Sequence, residues 1–278
     1  MTRILQLSDT HLMADGGLHA GLVDTTALLR QVLAGLEGIG ELDAVVVSGD
    51  VSDDGTAASY ESARDLVGAF AAARGAGTVV WAMGNHDERE GFTQVLGPTR
   101  SVHDLDGLRI VVLDSSVPGK GYGHLDAGQL GWLREQLAPP APRGSLVVVH
   151  HSPLPAPTVL HEGVALDDPA DLLAALEGTD VRAVLSGHYH HPYAATLPSG
   201  TAAFVAPGVA NRNDVLVARG RERVVRGSGA LLLDVDDAGV RGTFLTVATP
   251  GDGEELFVLD EETVTRIVAE VGLPAAAP

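Results

Sequence analysis

Asp9 and His11 stand in "SDTH", Asp50 in "SGD", Asn85 and His86 in "MGNHD", His150 in "VVVHH", and His188 and His190 in "LSGHYH". Carboxylate, imidazole and amide side chains of this kind are donors for borderline divalent cations. Each block follows directly behind an apolar run, and ligands in open α/β sheets gather where the carboxyl ends of several strands converge. A lone D-x-H, or a GD behind a strand, is most often an ordinary turn. The whole series in this order, each member behind an apolar strand, points to a metal site. Asp9 and His11 are two apart, as are His188 and His190, so in an extended segment each pair faces one side. Gly49, Gly84 and Gly187 precede these residues and permit sharp turns or close backbone approach.

The elements that must carry these residues are legible in the hydrophobic pattern. Apolar runs at Arg3–Leu7, Ala44–Val47, Thr78–Ala82, Arg109–Leu113, Leu146–Val149 and Ala183–Leu185 read as buried strands. Leu28, Leu29, Val32, Leu33 and Leu36 repeat at helical spacing behind an Asp24 N-cap, and Tyr60, Ala63, Val67 and Phe70 do so before Gly75. Between about Ala202 and Val247 the alternation and the glycines suggest antiparallel strands with tight turns. The expectation is a helix-linked sheet paired with a hairpin-rich one, an α/β protein. Val264, Ile267, Val268 and Val271 form one stripe of a final helix, and "GLPAAAP" closes the chain as a tail. The division expected is 1–248 for the main domain and 249–278 for the helix and tail.

Composition narrows the function classes. The chain of 278 residues carries 37 acidic and 18 basic residues, a formal charge of -19, which repels polyanions such as nucleic acid and anionic membranes. A small phosphorylated substrate is still compatible, because bound cations invert the potential inside one pocket. The absence of cysteine rules out disulfides and thiol catalysis. The N-terminal apolar stretch is interrupted by Asp9 and too short for a secretory signal, and no segment reaches membrane-spanning length, so a cytoplasmic protein is expected.

Taken together, "D9-T-H11", "G49-D50", "G84-N85-H86-D87", "H150" and "G187-H188-Y189-H190" resemble the signature blocks of the calcineurin-like metallophosphoesterases. The resemblance runs over roughly residues 3 to 210. "GLRIVVLDSSVPGKGYGHLDAGQLGWLREQL" and "GTDVRAVLSGHYH" are similar to bacterial class III cyclic-nucleotide phosphodiesterases, mycobacterial ones included. The resemblance implies a four-layer α/β/β/α sandwich of two mixed sheets with a dinuclear metal centre. One metal would take Asp9, His11, Asp50 and His190, the other Asp50, Asn85, His150 and His188, with Asp50 bridging. It also implies a homodimer.

The chemistry of such a set is specific. Two divalent cations bring about four positive charges and two aspartates with a bridging hydroxide return about three, which leaves a site that attracts a phosphodiester monoanion. Mixed nitrogen and oxygen donors suit Mn, Fe or Zn better than Mg or Ca. The implied reaction is in-line attack of the metal-bridging hydroxide on a phosphodiester, with His86 donating a proton or hydrogen bond to the leaving oxygen. His86, Asn85 and Asp50 are thus the candidate catalytic residues, and Asn211 is a candidate substrate contact. Asp87 is expected to orient neighbouring groups or cap the segment that follows. His151 and His191 are expected outside the metal shell, His124 and His161 on the surface, with a substrate rim or an interface as the alternative, and His19 and His103 in loops. Arg212, Arg219, Arg221, Arg223 and Arg226 read as a solvated hairpin, with a nucleotide-facing or subunit-facing edge as the alternative. Cyclic nucleotides, 3′,5′-cAMP or 2′,3′-cAMP, are the expected substrates, giving nucleoside monophosphates. Glycerophosphodiesters or a broad range of phosphodiesters are the alternative, and a non-catalytic metal-binding protein is the alternative of a different class.

Overall fold

The computed structural model describes residues 1–274. β1 (Thr2–Leu7), β2 (Ala44–Ser48) and β3 (Thr78–Ala82) lie parallel side by side, linked by α1 (Thr25–Gly35) and α2 (Ala57–Ala73). Asp24 caps α1 by accepting from the Ala27 amide at 2.9 Å, as its position before the apolar stripe suggests. After α3 (Arg89–Val95) the chain enters a second sheet. β4 (Ser101–Leu105) pairs antiparallel with β5 (Leu108–Val112); α4 (Ala127–Leu137) leads to β6 (Ser145–Val148), and α5 (Val159–Gly163) and α6 (Pro169–Leu176) lead to β7 (Val181–Ser186). With β8 (Tyr193–Thr196) and β9 (Ala202–Val205) the order is β4-β5-β6-β7-β9-β8.

The last third is distributed over two sheets. β10 (Arg212–Asn213), β11 (Glu222–Val225) and β14 (Glu255–Leu259) form a small antiparallel sheet. The long hairpin of β12 (Ser228–Asp236) and β13 (Gly239–Val247) instead returns to the first sheet, with β12 antiparallel to β1, giving β13-β12-β1-β2-β3. The expectation of one helix-linked and one hairpin-rich sheet is therefore corrected: both large sheets are mixed. β9 also departs from the antiparallel reading, since it runs parallel to β7. Alternation in sequence reports burial of one face and is silent on strand direction. α7 (Glu261–Val271) packs beside α5, with Val268 against Gly163 and the Val271 carbonyl accepting from Gly121. The tail motif "GLPAAAP" lies only partly inside the described residues, which end at 274.

Side-chain parity builds the layers. Leu5, Leu7, Val45 and Val47 pack against Leu29, Val32, Tyr60 and Val67 of α1 and α2. Their neighbours Ile4, Ala44 and Val46 face the other way, against Ile110, Val112, Leu146, Val148 and Leu185 of the second sheet. That sheet's outer face, with Val111, Val147 and Val184, is covered by Leu130 and Leu133 of α4 and Leu172 and Leu176 of α6. Three apolar layers separate four layers of structure, an α/β/β/α sandwich. Both sheets lie buried on two faces, which explains why their central strands read as continuous apolar runs.

Candidate metal centre

The carboxyl ends of β1, β2, β3, β6 and β7 open on the same edge of the sandwich, and the blocks that follow them meet there. His11 Nε2 lies 3.1 Å from His190 Nε2, and Asp9 Oδ1 lies 3.4 Å from His190 Nε2. Asp50 Oδ2 is 3.6 Å from His11 Nε2 and 3.2 Å from His150 Nε2. The donor atoms fall into the groups Asp9–His11–His190 and Asp50–His150–His188, linked by a third of His11, Asp50 and His86. Asn85 lines the cavity beside them, and among the described residues its buried Oδ1 has no hydrogen-bond partner.

Local backbone, not extended alternation, aims these side chains. Asp9, His11, Asp50, His188 and His190 all take positive φ, between 45° and 72°. The left-handed region is strained for residues with a Cβ and concentrates at functional sites. The expectation that Asp9 and His11, or His188 and His190, converge because they alternate in an extended segment is corrected accordingly; left-handed turns fold them inward. The glycines serve close approach: a Cβ at Gly84 would collide with Asp50, one at Gly187 with Ser8 and Asp9, and one at Gly49 with His150.

Each imidazole is held through its outer nitrogen. His150 Nδ1 donates to the Ser48 carbonyl at 2.8 Å, His188 Nε2 to the Val164 carbonyl at 2.9 Å, and His190 Nδ1 to Asn211 Oδ1 at 2.7 Å. His11 Nδ1 faces Asp53 Oδ1 at 3.1 Å. Partners of this kind fix the tautomer and leave the other nitrogen as a lone-pair donor, the arrangement found around metal-bound histidines. Burial lowers the pKa of both His11 and His190 to about 4, so both are neutral near pH 7. Two lone pairs facing each other at 3.1 Å repel unless a cation lies between them. Burial also pulls His150 down, but Asp50 and Asp9 outweigh it and lift its pKa to about 9. A cation at that nitrogen competes with the proton. The donors present fit two divalent cations.

His86 stands at the mouth with its side chain 45% exposed. Its amide donates to Asp50 Oδ1 at 2.9 Å, and its Nδ1 meets Asp53 Oδ1 at 3.0 Å. Enclosure lowers its pKa, yet Asp50 and Asp53 outweigh that effect and raise it to about 9. His86 also lies close enough to His11 and Asp50 to share a cation geometrically, so its engagement by Asp53 is what turns one ring nitrogen away. Asp87 accepts from the amides of Val51, Ser52 and Gly84, which ties the Asp50 and Asn85 loops together. It does not cap α3, whose N-cap is Glu88.

Three residues have larger roles in the geometry than the sequence reading gave them. Asp53 touches His11, His19 and His86 at once. His19, expected only as a loop residue, lines the cavity and contacts Asn211. His161 departs from its surface reading, being 5% exposed and hydrogen-bonded to Asn213 at 2.9 Å, and agrees with the alternative of a rim, since it lines the cavity. Asp53 had a signal in "GDVSDD", three residues beyond a candidate ligand; His19 and His161 stood in no recognisable motif. His103 lies in β4, not in a loop. His151 is buried, with its ring nitrogens facing Ser115 Oγ and the Gly121 carbonyl, and belongs to none of the groups of donor atoms although its ring packs beside His188. Asn211 orients His190 and also lines the cavity. In the arginine-rich stretch, Arg219, Arg223 and Arg226 pair with Glu162, Asp214 and Glu254.

The pattern of the calcineurin-like phosphoesterases matches residues 2–192. The chain belongs to that family. It is 40% identical over 267 residues to a "Probable cyclic nucleotide phosphodiesterase" of Rhodococcus erythropolis, covering 91% of this chain and 88% of that one. It is 42% identical over 228 residues to a cAMP/cGMP dual specificity phosphodiesterase of Mycobacterium tuberculosis, covering 79% of this chain and 71% of that one. Among solved structures, a dimetal phosphatase from Danio rerio superposes with a TM-score of 0.62 at 14% identity, over 89% of this chain and 99% of that one, a likeness of fold. The chain is thus a metal-dependent phosphodiesterase by family.

Proposed function

We propose that this protein hydrolyses cyclic nucleotides, 3′,5′- or 2′,3′-linked, to nucleoside monophosphates. The observation that carries the reading is the pair of neutral imidazole nitrogens, His11 Nε2 and His190 Nε2, set 3.1 Å apart with their outer nitrogens already occupied. The similarity to phosphodiesterases named for cyclic nucleotides supports the substrate class. In this reading Asp9, His11, Asp50 and His190 hold one cation and Asp50, Asn85, His150 and His188 the other. Two such cations, Mn, Fe or Zn, supply Lewis acidity and a water acidic enough to attack near neutral pH.

The chain's own residues do the rest. Asp50 joins the two donor groups and fixes the His86 amide. His86 reaches the leaving oxygen and gives it a proton as the P–O bond breaks, with Asp53 holding the ring in place. The cavity of about 340 Å³ beside the donors has an apolar far wall, which suits a nucleoside; a glycerophosphodiester would leave that wall unused. Asn211 stands where it can touch both His190 and a bound substrate. The reading includes a homodimer, by resemblance to the family, and a cytoplasmic location, with which the lack of cysteine is compatible.

The test is a set of initial rates with Mn²⁺-loaded protein on 3′,5′-cAMP, 2′,3′-cAMP, glycerophosphocholine and bis(p-nitrophenyl) phosphate. The reading expects a cyclic nucleotide to have the highest kcat/KM. Preference for glycerophosphocholine would overturn it.

A further inference from the structure

The cavity has a half that the metal chemistry does not use. Its far wall is formed by Val224 of β11, Phe257 and Leu259 of β14, and Ile267 and Val271 of α7. One charged group stands in that wall. Glu222, the first residue of β11, is 1% exposed, and among the described residues neither of its carboxylate oxygens has a hydrogen-bond partner of good geometry, the Thr158 hydroxyl alone lying near enough to act on it. Three arginines of the neighbouring segment pair elsewhere: Arg219 with Glu162, Arg223 with Asp214 and Arg226 with Glu254. A buried carboxylate that has lost water without gaining donors is costly, and native structures keep such groups where a function uses them.

We propose that Glu222 is a specificity-determining residue that reads the base of a bound cyclic nucleotide, accepting two parallel N–H groups from the edge of a guanine. The inference rests on the cyclic-nucleotide reading above. Guanine presents its ring N–H and its exocyclic amine side by side, and an ionised carboxylate has two oxygens at matching separation and no proton to give. Adenine offers one donor beside an acceptor, which sets a lone pair against the second carboxylate oxygen. Phe257 and Ile267 supply flat and aliphatic surface for the face of the purine, and the donor groups at the opposite end receive the phosphate. Both ends line one cavity, so one ligand can satisfy both.

The experiment measures kcat/KM at pH 8 for 3′,5′-cGMP, cAMP and cIMP with Mn²⁺-loaded wild type and Glu222→Gln. Inosine keeps the ring N–H and lacks the exocyclic amine. The wild type is expected to prefer cGMP over cIMP by roughly tenfold or more, the discrimination of a bidentate pair. Glu222→Gln, whose amide matches an adenine edge, is expected to erase that preference and move the cGMP-to-cAMP ratio toward cAMP by roughly tenfold. A purely structural role would scale all three substrates together and leave the ratios alone, which would overturn the proposal. If the variant does not fold, the wild-type cGMP-to-cIMP ratio decides alone, and a ratio near one overturns it. Hydrolysis of bis(p-nitrophenyl) phosphate with no turnover of any cyclic nucleotide would remove the nucleotide reading and this proposal with it. Turnover of all three without discrimination would remove only the role of Glu222.

Discussion

His86 and Asp50 sit in contact, yet the account gives them separable duties. Asp50 lies within reach of both donor groups, so Asp50→Asn should lower bound metal toward one or none per chain. His86→Ala should keep its metal and lose about 10²- to 10⁴-fold in kcat, the range for removing a general acid. Metal analysis and steady-state rates on the same preparations check both. Asp53 is a positioning residue for His86 and His11, and Asp53→Asn should cost roughly 10- to 100-fold in activity or metal affinity. Retention of full activity and affinity by that variant would remove it from the account. All the residues that the sequence blocks singled out as donors meet at one centre, because residue type and position behind a strand are both written in the sequence. The tautomers, and the neighbours that set them, depend on atoms such as the carbonyls of Ser48 and Val164, which sequence spacing does not locate.

Strand ends and their glycines carry the site at the next scale up. Gly84 follows β3 so closely against Asp50 that any side chain must displace that carboxylate or its backbone. Gly84→Ala should therefore destabilise the fold by about 1 to 3 kcal/mol and weaken metal binding, measured by urea unfolding and metal titration. β11 is the other element with a distinct consequence. Burial raises the pKa of Glu222 to about 7, with Thr158 opposing. The folded state then holds a proton that the unfolded chain releases near pH 4.5, so stability falls as pH rises from about 4.5 to 7 and stays lower above it. Up to about 3 kcal/mol of that loss should vanish in Glu222→Gln when urea melts at pH 5 and pH 8 are compared at equal metal loading. A wild type and variant with parallel pH profiles would contradict the raised pKa. The six strands read from apolar runs and the first two helices were legible within a residue or two, because period and capping signals are local, while the edge strand β4 and the late strands β8 and β14 were not. Pairing partners were not: β12 and β13 join β1 across more than two hundred residues of chain, and nothing in their alternation names that partner.

At the scale of the whole molecule, two mixed sheets bring five strand ends to one edge, and the small sheet with α7 closes the cavity from the side. The division into 1–248 and 249–278 is carried forward as a proposal. β14 and α7 supply Phe257, Leu259, Ile267 and Val271 to the cavity wall, so a chain ending at 248 should lose cyclic-nucleotide kcat/KM by more than its loss on bis(p-nitrophenyl) phosphate. Equal losses would separate the C-terminal segment from substrate recognition. The role of that segment was not legible in the sequence, since an apolar stripe states that a helix is covered and not what it covers. The central claim is that two divalent cations in this centre drive phosphodiester hydrolysis. The most direct test follows initial rate and bound Mn²⁺ on the same metal-stripped protein as the ion is added back. The account predicts cyclic-nucleotide turnover that rises with occupancy and saturates at two ions per chain. Full turnover by the stripped protein, or two bound ions with no hydrolysis, would contradict it.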